Sequence, residues 1–228
     1  MDKSVNIEKV IGKYSDTIQP LMTLDVTDAD IMKMDFTSDN QALKDIDISD
    51  VKAFTAYIET VLNNYQKVGI GGYGEDRDIY RRSSLFMEED GYRCIHLGID
   101  IWVPAGTPIY APINSWVHSF RDNNRFGDYG ATIILEHHLN DVTFYTLYGH
   151  LSRSSLNGLH NGMEILKEER VAEVGNSNEN GQWPPHLHFQ LISHMMDYRG
   201  DFPGVALPAQ KEYYLNICPN PEKLLKIR

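Results

Sequence analysis

Two neighbouring runs, ATIILEHH at residues 131–138 and VTFYTLYGHL at residues 142–151, decide the fold class of this chain. Both are rich in β-branched and aromatic residues, which favour strands, and only three residues, LND, separate them. Similar short runs, separated by Gly, Asn, Asp or Pro, lie at residues 92–103, 107–113, 115–120, 170–175 and 186–192. Closely spaced strands of this kind predict a mainly β domain, an antiparallel sandwich or barrel, rather than alternating β and α units.

The N-terminal part of the chain follows a helical pattern instead. In residues 48–69, ISDVKAFTAYIETVLNNYQKVG, apolar residues recur at steps of three, one or four, which is the spacing of one helix face. Ser49 is placed to cap the start of this helix and Gly69 to end it. A weaker helix is predicted at about residues 5–18, and the acidic stretch between the helices is predicted to be loop with one short strand.

A glycine-rich run from Gly69 to Gly74 follows the predicted helix. It is expected to be a turn-rich connection, because no Gly-Lys-Ser/Thr pattern accompanies it as in a phosphate loop. These patterns divide the chain into an α-rich N-terminal region, residues 1–90, a β domain, residues 91–200, and a C-terminal extension, residues 201–228, that packs on the β domain.

Composition narrows the classes of partner. The formal net charge of −11 argues against a nucleic-acid partner, because phosphate backbones need clustered Lys and Arg. No stretch approaches the roughly 20 apolar residues of a membrane span, and the charged N-terminal residues leave no room for the apolar core of a secretory signal. We therefore expect a cytoplasmic protein in which Cys94 and Cys218 are reduced.

Five polar residues stand at or near the ends of predicted strands. His96 and Asp100 are four residues apart in HLGID, and His150 closes the strand of YGHLS. His186 and His188 in HLHF share one face, because side chains alternate along a strand. Imidazole and carboxylate groups are good zinc ligands, and a catalytic zinc site takes three protein ligands and leaves a fourth position open. Each motif alone is common in ordinary strands, but their joint occurrence predicts a metal site.

The run from His96 to Phe120, together with YGATIILEHH, YTLYGHLS, RVAEVGN and HLHFQL, resembles the lysostaphin-type zinc metallopeptidases, peptidase family twenty-three. The resemblance covers about residues 92–192 and implies the duplicated hybrid motif fold. Carried over by position, it implies a Zn²⁺ cofactor. The implied zinc ligands are His96, Asp100 and His188, and the implied catalytic pair beside the metal is His150 and His186.

The flanking segments resemble a narrower group. GGYGEDRDIYRRSSLF at residues 71–86, DFPGVA at residues 201–206 and CPNPEKLL at residues 218–225 are similar to the peptidase-like module of fusion proteins that also contain a kinase-like module and a class-III aminotransferase. The chain departs from the lysostaphin-type pattern at SNENGQWPP, residues 177–185, where the family usually has a short glycine-rich loop. This departure is expected to stiffen one wall of the cleft.

Four further residues are candidates for binding substrate. Arg77 and Arg82 belong to the most basic cluster of an acidic chain and could clamp a carboxylate or phosphate, with salt bridges to acidic residues as the alternative. Strand alternation puts Tyr148 on the face of His150, where it would bind substrate or simply pack. Asn180 lies in the loop that walls the cleft.

Two other potential metal ligands are weaker candidates. His137 and His138 end a strand, so one is expected to face the core and the other solvent. Cys94, two residues before His96, is expected to be a small buried thiol rather than a metal ligand.

The predicted activity is zinc-dependent hydrolysis of a peptide bond, with a glycine-containing or cell-wall-derived peptide, or a small amide, as substrate. Two alternatives stay open at this level. One is a non-catalytic zinc-binding or interaction domain, and the other is a hydrolase of a small cytosolic metabolite. Secreted members of the family cut the bacterial cell wall, and the absence of a recognisable export signal puts that substrate in question.

Overall fold

The computed structural model describes residues 3–24 and 26–226. Its helices are α1 Lys3–Lys13, α2 Val51–Val61 and α3 Lys211–Ile217. Its strands are β1 Ile31–Lys33, β2 Val68–Gly71, β3 Met87–Glu88, β4 Gly91–Tyr92, β5 Ile95–His96, β6 Ile99–Trp102, β7 Pro108–Tyr110, β8 Ser115–Asn123, β9 Gly130–Leu139, β10 Val142–Leu151, β11 Glu164–Ile165, β12 Arg170–Glu173, β13 Leu187–Ile192 and β14 Val205–Ala206. Within these ranges, no helix is long and apolar enough to cross a membrane.

An eight-stranded sheet organises the molecule, with strand order β1-β2-β6-β13-β10-β9-β8-β11. Strands β1 and β2 are parallel, and the remaining neighbours in this sheet are antiparallel. The mainly β fold predicted from the strand pattern is confirmed. The longest hairpin, β9–β10, is the pair of runs separated by LND, with Leu139 opposite Val142.

The N-terminal helices pack against this sheet. Helix α2 buries Phe54 and Ile58 completely. The Phe54 ring lies 6.3 Å from Trp102 and 6.4 Å from Trp183, measured between ring centroids. A buried aromatic cluster therefore connects the helix with β6 and with the loop before β13, both of which carry predicted site residues.

The predicted ends of α2 are wrong. Asp50 caps the helix, because its side chain accepts from the amides of Lys52 and Ala53, whereas the Ser49 hydroxyl donates to Asp47. The helix ends at Val61, since residues 63–65 take left-handed backbone conformations with φ between 51° and 59°. Two of these residues are asparagine, which tolerates this region better than most side chains.

The glycine-rich run begins as strand β2 rather than as a loop. It pairs with β6 and places Gly71 opposite Asp100. A Cβ atom on Gly69 would lie 2.9 Å from Cγ of Met34 and 3.0 Å from Cβ of Trp102, so glycine is required for this close approach. The sheet thus includes strands from both the predicted N-terminal region and the predicted β domain.

Candidate active site

Three side chains converge where β5, β6 and β13 come close together. His96 ends β5, and Asp100 in β6 lies directly opposite His188 in the antiparallel pair β6–β13. Nε2 of His96 lies 3.0 Å from Nδ1 of His188, and Oδ1 of Asp100 lies 3.2 Å and 3.1 Å from these two atoms. A tetrahedral zinc ion about 2.0–2.1 Å from each ligand separates the ligand atoms by about 3.3 Å. The triangle therefore fits zinc.

Glycine at position 98 makes this convergence possible. A Cβ atom there would lie 2.8 Å from the His188 ring and 2.7 Å from the carbonyl oxygen of Phe189. Any larger residue would push His188 away from His96 and Asp100. The glycine inside HLGID is thus part of the geometry that the motif encodes.

Hydrogen bonds orient both imidazoles towards the shared point. Nδ1–H of His96 donates to the carbonyl oxygen of Gly72 at 3.0 Å, and Nε2–H of His188 donates to Oε1 of Gln190 at 2.9 Å. The amide nitrogen of Gln190 is itself occupied as a donor to Pro203, which fixes Oε1 as the atom facing His188. In a neutral imidazole, this leaves the lone pair on the other ring nitrogen, which is the one that faces the shared point and the one a metal would need. Burial lowers the pKa of His96 to about 4, so it is neutral at pH 7.

A buried arginine binds the carboxylate oxygen of Asp100 that does not face the two imidazoles. Its Oδ2 accepts from Nη1 of Arg77 at 2.5 Å, and Nε of Arg77 donates to Glu75 at 2.6 Å. Burial alone would raise the pKa of Asp100, but His96 and Arg77 outweigh it and hold the pKa well below its usual value. Arg77 is fully buried and ion-paired, as in the salt-bridge alternative, and its assignment to substrate binding stays a prediction.

His150 and His186 lie next to this triangle. Their ring centroids are 4.2 Å apart, and the His186 ring stacks on Trp102 at 4.1 Å. Nδ1–H of His150 donates to the carbonyl oxygen of Asn180 at 2.9 Å, and Nδ1–H of His186 donates to that of Pro184 at 2.7 Å. Burial lowers both pKa values, that of His186 to about 4. Both rings are therefore neutral at pH 7 and leave Nε2 as a proton acceptor.

Comparison with known proteins decides the family of this region. Residues 94–198 match the sequence model of Peptidase family M23. Residues 94–198 are therefore similar to a peptidase family M23 domain, and this matched region is called the M23 domain below. The M23 domain carries all five residues of the histidine and aspartate constellation, and the resemblance to the lysostaphin type is confirmed. The resemblance of the flanks to the fusion proteins stays a prediction.

Two curated relatives and one solved structure illustrate the similarity. An uncharacterized metalloprotease of Haemophilus influenzae is 33% identical over 96 residues, which are 42% of this chain and 18% of the relative. Peptidoglycan DD-endopeptidase ShyA of Vibrio cholerae is 30% identical over 97 residues, which are 42% of this chain and 20% of the relative. A zinc-containing peptidase from Vibrio cholerae matches with a TM-score of 0.35 and 26% identity, covering 46% of this chain and 29% of that structure. The chain thus spans about a fifth of the length of these curated relatives.

Two cavities adjoin the histidines, and both are lined partly by residues outside the M23 domain. The smaller, about 20 Å³, lies between the ligand triangle and the pair His150 and His186. The larger, about 200 Å³, also reaches His150 and His188, and its walls include the aromatic side chains of Tyr129 and Trp183. The larger cavity is a cleft that would place a substrate beside the ligand triangle.

The structure places the remaining substrate-binding candidates in buried positions, and their roles in binding stay predictions. Tyr148 is fully buried in the main core, because the register of β10 slips after it and His150 takes a left-handed φ of 61°, which breaks the alternation. Asn180 is fully buried, and its side chain bonds the backbone of Gly175 and Trp183. Arg82 lies over the Trp183 ring at 4.5 Å and donates to the backbone. Asn180 and Arg82 therefore both contact Trp183, which forms part of the cleft wall.

Gln190 is the functional residue that the sequence reasoning missed. It stands two positions after His188 on the same strand, so alternation alone would have placed it on the same face. Trp183 belongs to the loop at residues 177–185 that the sequence predicts to be stiff, and it lines both cavities. Cys94 and Cys218 are both free and buried, and Cys94 is not part of the ligand triangle.

His137 and His138 divide as expected. His138 is exposed, whereas His137 is fully buried and bonds Thr146 through Nε2 at 2.7 Å. Burial lowers the pKa of His137 to about 4. Because His137 lies outside the ligand triangle, its titration affects the fold rather than the metal centre.

Between pH 7 and pH 5, the metal-free protein is expected to lose about 2 kcal/mol of unfolding free energy through His137 alone. The folded-state pKa lies below the unfolded value of about 6.5, so the unfolded chain binds a proton that the folded chain excludes. The stability that neutral His137 contributes is fully present above about pH 6.5 and is lost as the pH drops towards 4. In urea unfolding at both pH values, His137→Leu should lose about 2 kcal/mol less than the parent chain. Equal losses would contradict the assignment.

Proposed function

We propose that this chain is a zinc-dependent peptidase that hydrolyses a peptide (amide) bond. The observation that carries the proposal is the triangle of His96, Asp100 and His188, whose ligand atoms lie 3.0–3.2 Å apart with both imidazoles oriented by acceptors behind them. The family match and the relatives' names, a metalloprotease and an endopeptidase, support the same conclusion.

In this proposal, His96, Asp100 and His188 hold the ion. When bound, zinc would polarise the substrate carbonyl and lower the pKa of a water molecule to about 7. His150 and His186 handle the proton. Their Nδ1–H groups are committed to backbone carbonyls, so Nε2 of one ring accepts the proton of the attacking water and returns it to the leaving amine.

The proposed substrate is a peptide or a small amide. The cleft beside His150 and His188 has a volume of about 200 Å³ and aromatic walls, which suits a short stretch of peptide. The relative named as a peptidoglycan endopeptidase supports a cell-wall-derived peptide. The interaction-domain alternative is less favoured, because all five polar residues are present and both imidazoles of the pair keep a free acceptor.

Metal analysis combined with a peptidase assay tests the proposal. The purified chain is stripped with a chelator, reconstituted with zinc and assayed on pentaglycine and on peptides released from peptidoglycan. We expect one zinc ion per chain and hydrolysis that disappears on chelation and returns with zinc. Stoichiometric zinc without hydrolysis of any peptide would favour the non-catalytic alternative. Absence of bound zinc would refute the metal centre itself.

A further inference from the structure

The larger cavity is lined by two carboxyl groups, of which Asp128 is paired with Arg125 and Asp201 has no ion-pair partner among the described residues. Two aspartates, Asp128 and Asp201, line it together with His150 and His188. Burial raises the pKa of both carboxyl groups, and the charge of Asp201 raises the pKa of Asp128 further. Asp201 forms no ion pair within the part of the chain that the structure describes.

The arginines of the same cavity are already engaged. Arg93 pairs with Glu88 at 2.9 Å and donates to the carbonyl oxygen of Leu85 at 2.7 Å. Arg125 lies 3.4 Å from Asp128, with 73% of its side chain exposed. Among the Asp and Arg side chains that line the cavity, Asp201 is thus the one without a salt bridge in the described part of the chain, so its carboxylate is available to an entering ligand.

Two unpartnered polar groups in the cavity wall also indicate a polar ligand. Trp183 is 3% exposed, and its Nε1–H is buried without a hydrogen-bond partner among the described residues. The hydroxyl of Tyr129, whose ring lies 5.2 Å from that of His188, is in the same situation. Buried polar groups without partners are rare, and at a cavity wall they are commonly satisfied by a ligand. A peptide supplies carbonyl oxygens for such donors.

We propose that Asp128 and Asp201 bind a protonated amino group of the substrate, so that the enzyme prefers peptides with a free ammonium group close to the scissile bond. This inference rests on the proposed peptidase function, because it names the substrate class of the same cleft. The carboxylate pair faces the ammonium group, while the peptide carbonyls meet Trp183 and the ligand triangle. An α-amino group and a lysine-type side chain are the two sources of this chemistry.

Matched peptide pairs test the preference in the full-length, zinc-reconstituted chain. Tetraglycine amide is compared with its N-acetyl form, and N-acetyl-Gly-Gly-Lys-Gly amide with the norleucine analogue. The first pair probes an α-amino group and the second a side-chain amine. Hydrolysis is measured as kcat/KM, and binding to the metal-free chain is measured by calorimetry, which does not depend on turnover.

In at least one pair, we expect the peptide with the free ammonium group to bind about tenfold or more tightly than its uncharged partner. Its kcat/KM should be higher by a similar factor. Asp201→Asn and Asp128→Asn should each reduce it to within about threefold while zinc content is unchanged. Asp197→Asn is the matched control, because Asp197 is exposed, lies four residues before Asp201 and does not line the cavity. This control should keep the preference.

The outcomes separate the two proposals. Hydrolysis of both members of each pair at equal rates would overturn the ammonium preference and leave the peptidase function intact. A preference in binding that Asp201→Asn removes, without any hydrolysis, would support the ammonium site and refute the peptidase. A preference that survives in both aspartate variants, or no binding of any peptide, would overturn the inference.

Discussion

The His188→Ala variant is expected to bind zinc at least about 100-fold more weakly than the parent chain and to lose hydrolysis. The reason is geometric. His188 supplies one corner of a triangle whose sides are 3.0–3.2 Å, and two ligands cannot hold the ion in the same way. His186→Ala removes a ring that stacks on Trp102 but contributes no corner, so it should keep its zinc and lose turnover by about 100-fold or more.

Zinc affinity measured by competition with a chromophoric chelator, together with kcat on the same samples, checks this division of labour. His194→Ala is a suitable control, because His194 is exposed and lies beyond the strand that carries His188. Its zinc affinity and turnover should equal those of the parent. Equal loss of metal in the His186 and His188 variants would show that the two histidines do not have separate roles.

Replacing Arg77 by methionine is expected to lower the free energy of unfolding by about 3–5 kcal/mol. The substitution leaves the buried carboxylate of Asp100 without its cation and removes the partner of Glu75. Asp100 also loses the donor that orients it towards the ligand triangle, so zinc affinity should fall by about 10–100-fold. Urea unfolding of the metal-free chain and chelator competition measure the two effects independently.

Arg81→Met provides the matched comparison. Arg81 pairs with Asp78 at 3.0 Å, but its side chain is 59% exposed, and an exposed pair of this kind contributes at most about 1 kcal/mol. Its zinc affinity should not change. If the Arg77 variant retained the zinc affinity of the parent, the arginine would stabilise the fold without positioning Asp100.

The residues of the constellation could be predicted because their spacing follows from strand geometry. His186 and His188 share a face by alternation, and the glycine of HLGID leaves the space that His188 needs. Alternation fails at Tyr148, because the slip in register and the left-handed backbone of His150 cannot be read from residue types. Side chains from distant parts of the chain escape such reasoning too. Arg77 approaches Asp100 only because β2 pairs with β6.

The N-terminal strand β2 and the residues that follow it have a role beyond extending the sheet. The carbonyl oxygen of Gly72 orients His96, and Arg77 orients Asp100. Two of the three corners thus depend on a segment that precedes the M23 match at residue 94. Ion binding and the docking of this segment are thermodynamically linked, so each favours the other. A fragment trimmed to the family boundaries would retain every ligand yet lack the supports that preorganise them.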